Sequence, residues 1–221
     1  MTRSETIKAI ETGIEITNQA IDDGVNLIGT GEIGIGNTTS SSAVLYAFTK
    51  ENLDMLVGRG AGLTDEGLIH KKEIIKKAVD FNKPDSSDPI DVISKVGGFD
   101  IAGLAGCYLA AAASRTPIVI DGFISGVAAV VASKINSKAI NYMFTSHVSV
   151  EPGSAKISEI LGLKPMLDMN MRLGEGTGCA LAFNIIEAST KMMNEMGTFA
   201  DIGMWPSKSP KKVELFIYRC S

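Results

Sequence analysis

Aromatic residues make up only 6% of this chain, with one tryptophan, and histidine occurs twice. The core must therefore be assembled from Ala, Ile, Val, Leu and Met. A hydrophobic share of 45% against 21% charged residues suits a globular domain rather than a disordered one. The three cysteines, Cys107, Cys179 and Cys220, form no CxxC or His-rich pattern. That argues against a zinc or dithiol motif and reads them as reduced thiols of a cytoplasmic protein. The opening MTRSETIKAIETG lacks the apolar run of a signal peptide, and the most apolar stretch, residues 101–113, is too short to cross a bilayer and reads as a buried helix. A net charge of -4 supplies no basic field for nucleic acid or an anionic membrane. It leaves room for an anionic small ligand, which needs only local N–H groups and a cation.

What the sequence does have is glycine in two telling places. Residues 31–39, GEIGIGNTT, and 171–178, MRLGEGTG, each set a glutamate, Glu32 or Glu175, among glycines just after a short apolar segment. In such loops a carboxylate is left bare and backbone N–H groups can approach a ligand. The two loops are expected to form opposite walls of one small-molecule site.

At 221 residues the chain forms one large domain, or one domain with an appendage. Thr2 and Glu5 have capping-box spacing, and Ile7, Ile10, Ile14 and Ile21 then mark an apolar helical stripe expected to lie on a sheet. Residues 25–28 read as a strand leading into the first glycine loop, with Asn37 or Thr38 capping the next helix. A turn at 58–62 leads into a helix carrying Ile69, Ile74, Ile75 and Val79. Asp88 before Pro89 opens a short helix, and apolar helices follow at 99–114 and 125–134. Strands are expected at 117–120, near 139–144 and at 166–168, with helices at 153–161 and 177–196. This alternation argues for an α/β fold with a mostly parallel, Rossmann-like sheet flanked by helices and a C-terminal helical element. Ligands of open sheets bind beyond the carboxyl ends of the strands, where Glu32, Asp121, His147 and Glu175 all fall. Residues 205–221, WPSKSPKKVELFIYRCS, read as a loose tail.

Each motif also admits a plain structural reading. The first glycine loop lacks the lysine of a P-loop and the spacing of GxGxxG, so it is either a ligand-orienting loop or a turn with a solvated glutamate. In the second, Arg172 and Glu175 stand at the mouth of a long helix, where Glu175 either acts on a ligand or caps the helix. Residues 146–156, SHVSVEPGSAK, either cradle a phosphate with Lys156 nearby or form a polar loop, and a single His147 is not evidence of a metal site. Lys71 and Lys72 either approach a phosphate or solubilise a helix face. The methionines of 192–196 suit core or subunit-interface packing.

Five segments in order, GTGEIGIGNTTSS, LVGRGAGLTDEGLIHKK, IVIDGFISG, YMFTSHVSVEPG and MRLGEGTGCALAFNIIEAS, resemble the nicotinate-nucleotide:dimethylbenzimidazole phosphoribosyltransferases of cobalamin biosynthesis. The resemblance implies transfer of the 5-phosphoribosyl group of nicotinate mononucleotide to 5,6-dimethylbenzimidazole, giving α-ribazole 5'-phosphate and nicotinate, with no metal or organic cofactor. It implies that Glu175 is the general base, and that Glu32, Gly34, Lys71, Asp121, Ser146, Gly153, Arg172 and Gly174 bind substrate. It also implies a homodimer. Family members begin well over a hundred residues earlier, so the chain is expected to be the C-terminal portion only. Residues 1–204 would then form a partial α/β phosphoribosyltransferase-like domain, with the N-terminal part of the family fold absent or supplied by a separate chain. The alternatives are a truncated, non-catalytic α/β domain that binds nicotinate mononucleotide or phosphate, and phosphoribosyl transfer to another azole or purine acceptor.

Overall fold

A computed structural model describes residues 1–204; the expected loose tail at 205–221, with Cys220, lies outside the described residues. Helices dominate. In order they are α1 (Arg3–Asp22), α2 (Asn37–Thr49), α3 (Leu53–Leu56), α4 (Asp65–Asn82), α5 (Pro89–Val96), α6 (Phe99–Ala113), α7 (Phe123–Ile135), α8 (Gly153–Leu161) and α9 (Thr177–Glu195). The strands are β1 (Ile28–Gly29), β2 (Ile118–Ile120), β3 (Met143–Thr145), β4 (His147–Ser149) and β5 (Leu167–Met171). The chain divides into two units, Met1–Phe183 and Asn184–Ser221, the cut falling within α9.

The expectation of one Rossmann-like sheet is overturned. Two small sheets are present among the described residues: β1-β2-β3, parallel, and the parallel pair β4-β5. The apolar runs read as strands pair over only two to five residues each. Part of the segment expected to be a strand at 139–144 winds instead as a 3-10 helix, Ser137–Tyr142. Elements alternate as in an α/β protein, yet the strands are too short and too few to carry the core, which is built mainly from helix faces.

Helix packing explains how this works with few aromatics. α1 starts with the expected capping box, Thr2 Oγ1 accepting from Glu5 N while Thr2 N donates to Glu5 Oε2. Its stripe meets α6 rather than a sheet. A Cβ on Gly106 would stand 2.0 Å from the Ile10 carbonyl oxygen, and one on Gly13 2.0 Å from that of Gly103. The two backbones touch through these hydrogens, which is why α6 is rich in Ala and Gly. α7 is buried along almost its whole length, and Tyr108 of α6, fully buried, donates to the Ser125 carbonyl and shares a 2.8 Å hydrogen bond with Thr30 Oγ1. The end of β1 is thereby pinned to α6 and α7.

α5 begins as expected, Asp88 accepting from Ile90 N and Asp91 N ahead of Pro89. α2 differs. Its cap is Gly36, with no side-chain hydrogen bond, and Asn37 turns instead toward Glu32 and Asp100. In the second unit, Met192, Met193, Met196, Phe199, Ile202 and Met204 are exposed, so the methionine stretch is not core. Among the described residues no helix is long and apolar enough to cross a membrane.

Candidate functional site

A cleft of about 490 Å³ opens within the first unit where the two glycine loops meet. Residues 32–35 form one wall and 172–175 another, as the sequence suggested, while Gly122–Ile124 at the start of α7, the β4 residues His147 and Ser149, and Thr38 with Gly60 complete the lining. The loops interlock. A Cβ on Gly31 would meet Gly176 N at 2.6 Å, and one on Gly174 would reach Glu32 Oε1 at 3.4 Å.

Glu175 lines the cleft from a left-handed backbone conformation (φ 58°), flanked by Gly174 and Gly176 at φ 78° and 79°. For a non-glycine residue that conformation costs about 1–3 kcal/mol and persists only where neighbours enforce it. The enforcing group is Asp121. Buried at the carboxyl end of β2, it accepts from Gly176 N through Oδ2 (2.9 Å) and from Gly178 N through Oδ1 (2.8 Å), engaging both oxygens in holding the turn that carries Glu175. Gly178 has no room for a side chain: its Cβ would lie 2.1 Å from His147 Nδ1 and 2.7 Å from Asp121 Oδ1.

Glu32 is half-buried and accepts from Asn37 Nδ2 at 2.7 Å; the same amide nitrogen donates to Asp100 at 2.9 Å. Burial raises the Glu32 pKa, the Asn37 hydrogen bond opposes the rise, and the negative charges of Asp100, Asp121 and Glu175 add to it. A carboxylate so placed gains from any positive charge brought beside it.

A second part of the cleft wall is suited to an anion. α2, α6, α7 and α8 start without a side-chain cap, and of these α2 and α7 start at Gly36 and Gly122 beside residues that line the cleft. Lys71 of α4 is buried behind this wall, donating to Thr38 Oγ1 (2.9 Å) and the Gly58 carbonyl (3.0 Å). Burial lowers its pKa and Glu151 acts the other way. Glu151 also accepts from Gly60 N at 3.0 Å and so shapes the 58–60 turn; a Cβ on Gly58 would strike its carboxylate.

Of the residues expected at the site, Glu32, Gly34, Arg172, Gly174 and Glu175 line the cleft. Lys71, Asp121 and Ser146 lie directly behind it. Gly153 does not reach it: buried at the start of α8, it faces Phe123, Leu45 and the Leu56 carbonyl. Lys156 pairs with Glu159 and Glu51 at the surface. Sequence reasoning placed His147 at a ligand-binding strand end and Ser149 and Glu151 within the 146–156 loop without naming them individually as site residues, took Thr38 only as a candidate cap, and named neither Gly60 nor Gly122 as a site residue. Among the described residues no cluster of His, Cys, Asp and Glu is arranged to hold a metal ion. Cys179 is buried, donates to the Thr30 and Val119 carbonyls, and has its pKa pushed up to about 12, mainly by burial, so its thiol is not a nucleophile at neutral pH.

The chain resembles known proteins along most of its length. A family model described as a phosphoribosyltransferase matches residues 1–204. The nicotinate-nucleotide–dimethylbenzimidazole phosphoribosyltransferase of Ruminiclostridium cellulolyticum is 60% identical over 201 residues, covering 91% of this chain and 57% of that protein. That of Acetivibrio thermocellus is 58% identical, with the same coverage of 91% and 57%. A crystal structure of CobT from Thermus thermophilus superposes with a TM-score of 0.88 at 35% identity, covering 93% of this chain and 61% of that one. The expectation of a likeness to a C-terminal portion only is corrected to a family match that runs over residues 1–204 of this chain. Within the matched residues, α1 packs on α6 and contributes Ile10 to the shared core. In length, the chain spans about three fifths of the relatives it matches. By the family match over residues 1–204, the chain belongs to the phosphoribosyltransferase family.

Proposed function

We propose that this chain transfers the 5-phosphoribosyl group of nicotinate mononucleotide to 5,6-dimethylbenzimidazole, giving α-ribazole 5'-phosphate and nicotinate. The observation that carries this reading is the pairing, in one cleft, of two carboxylates on interlocked glycine loops with two uncapped helix N-termini and a buried lysine. The phosphate is assigned to the N–H groups at the start of α2, with Lys71 behind Thr38 supplying positive charge. The aromatic acceptor is assigned to the apolar rim, where Ile33, Ile35 and Leu173 are 72%, 84% and 67% exposed around the cleft mouth.

Chemically, the bond between the ribosyl carbon and the pyridinium nitrogen breaks with its electron pair going to nitrogen. Nicotinate therefore leaves with its ring neutralised and needs no general acid. One benzimidazole nitrogen attacks the ribosyl carbon, and the Glu175 carboxylate takes the proton from the other, which prevents a cationic product. Positive charge that develops on the ribosyl carbon is stabilised by Glu32, whose half-buried carboxylate lacks a cationic partner among the described residues. Gly34 and Gly174 leave room for the reacting groups, and Arg172 at the rim faces the nicotinate carboxylate. Asp121 and Ser146 act behind the wall as positioning residues. We assign the chain to the cytoplasm, in keeping with the free thiols of Cys107 and Cys179, and propose a homodimer, favoured by the exposed apolar side chains of residues 192–204.

The test follows α-ribazole phosphate formation by the 221-residue chain from the two substrates, beside Glu175→Ala. Loss of the general base is expected to lower turnover by roughly 10²–10⁴-fold. A Glu175→Ala protein as active as the parent removes the base from the reading, and a folded parent chain that forms no product removes the activity.

A further inference from the structure

His147 is one of two histidines, and its environment fixes which nitrogen carries the proton. Ser146 Oγ donates to the Asp121 carbonyl at 3.0 Å, so its single hydroxyl hydrogen is committed. With the hydroxyl hydrogen on the Asp121 carbonyl, which has this one side-chain donor among the described residues, the 2.8 Å contact between Ser146 Oγ and His147 Nδ1 is assigned as an N–H donation from the ring. Asp121 Oδ1, 4.0 Å from Nδ1, favours the same tautomer. With Nδ1 protonated, Nε2 of the neutral ring is a bare acceptor, and burial keeps the ring neutral by lowering its pKa, only partly opposed by Asp121.

The geometry directs that acceptor at the ligand. The Nδ1 edge is walled in by Ser146, Asp121 and the Gly178 backbone, which a Cβ at 178 would bring within 2.1 Å of Nδ1. The opposite edge, Cε1 and Nε2, faces Gly122, whose Cβ would lie 3.9 Å from both atoms, and Gly122 and His147 both line the cleft. A register shift in the β4 ladder falls between His147 and Ser149, as bulges often do beside functional sites, and these two residues, two apart, share the face turned to the cleft. Among the described residues the ring's hydrogen bond is made through Nδ1, and Nε2 is the nitrogen on the cleft side.

Resting on the phosphoribosyl reading, we infer that His147 Nε2 accepts a hydrogen bond from a ribose hydroxyl of the donor substrate and so marks the sugar compartment of the cleft. A bare acceptor demands a donor. A dianionic phosphate has none and would be repelled by the lone pair, and the nicotinate ring with its carboxylate has none. The benzimidazole N–H is claimed by Glu175, which leaves the ribose hydroxyls. The cleft is thereby ordered: anion at the α2 start with Lys71, sugar at His147 and Gly122, and reacting carbon between Glu32 and Glu175. A neutral acceptor also adds no positive charge near a carbon that is becoming cationic.

The experiment needs no variant at first, because only His70 and His147 contribute ring signals and His70 is on the surface. In ¹⁵N spectra of the 221-residue chain, the unprotonated Nε2 signal of His147 is expected to move upfield on addition of nicotinate mononucleotide. It should stay in place with either the 2'-deoxy or the 3'-deoxy analogue. In calorimetry, that same analogue should bind the wild type roughly 3- to 10-fold more weakly than the parent nucleotide, as for loss of one hydrogen bond. His147→Asn, whose amide can still donate to Ser146 but has no atom at the Nε2 position, should no longer distinguish the two. An unmoved Nε2 signal in a chain that binds the nucleotide, or a His147→Asn protein that discriminates as well as the parent, overturns the histidine contact and leaves the phosphoribosyl reading standing. No binding of the nucleotide by the folded wild type overturns both.

Discussion

At Glu32 the fold holds a carboxylate against its own preference for water. Burial beside Gly174 and the nearby charges of Asp100, Asp121 and Glu175 raise its pKa above the ordinary 4.5, and only Asn37 offsets this. A group whose folded pKa is raised binds its proton more tightly in the native state than in the unfolded one. Its contribution to stability is therefore fully present below pH 4.5 and is lost as pH rises through the raised value. Glu32→Gln, which keeps an oxygen for Asn37 to donate to, should melt at a higher temperature than the parent at neutral pH. The advantage should vanish as the pH is lowered past 4.5, which thermal melts at a series of pH values will read. The same variant should lose turnover, roughly 10²-fold, because the destabilising charge is the one that supports the ribosyl cation. Higher stability with unchanged turnover would leave Glu32 a strained wall residue only. That both glutamates belong to the site was legible from their glycine neighbours. The work of Asp121 and His147 was not, because each depends on atoms far away in sequence: the Asp121 carboxylate meets Gly176 and Gly178, and the aim of His147 is set by Gly178 and Gly122.

Between elements, the α1–α6 contact depends on missing side chains. Gly106→Ala would drive a methyl group into the Ile10 carbonyl and to within 3.1 Å of Ile14 N, both backbone atoms that can yield only if the helices separate. A cost of about 3 kcal/mol is expected, lowering the melting midpoint by roughly 6–12 °C at this size. Gly103→Ala, one turn earlier on the same helix, has only the Ala9 carbonyl at 3.8 Å as a neighbour. That substitution should be neutral or stabilising by up to about 1 kcal/mol through helix propensity. Equal effects at the two positions would mean that the close approach is not what the glycines serve. Local signals made many helices readable: the Thr2–Glu5 box and Asp88 before Pro89 each act within one turn. Sheet width was not readable in this way. Whether residues 117–120 sit in a sheet of three strands or six is decided by strands elsewhere, and in this fold β2 lies between β1 and β3 in a sheet of three. The same limit explains Gly153, which sits in a phosphate-like sequence yet is required by Phe123 and Leu56.

For the molecule as a whole, the residues that line the cleft all fall within Met1–Phe183. Ligand binding should therefore stabilise that unit directly. A ligand held only by the native state adds about 2.7 kcal/mol when present at a hundred times its dissociation constant, and for a chain of this length each kcal/mol raises the midpoint by about 2–4 °C. Saturating nicotinate mononucleotide should thus raise the midpoint by roughly 5–11 °C, and free ribose 5-phosphate, which lacks the pyridinium, by less. A chain shortened to residues 1–195 keeps α9 and the whole cleft, so its shift should equal that of the full chain if binding depends on the first unit alone. A shift that disappears on shortening, in a protein whose circular dichroism is unchanged, would show that residues beyond 195 complete the site, in the same molecule or in a second copy of it.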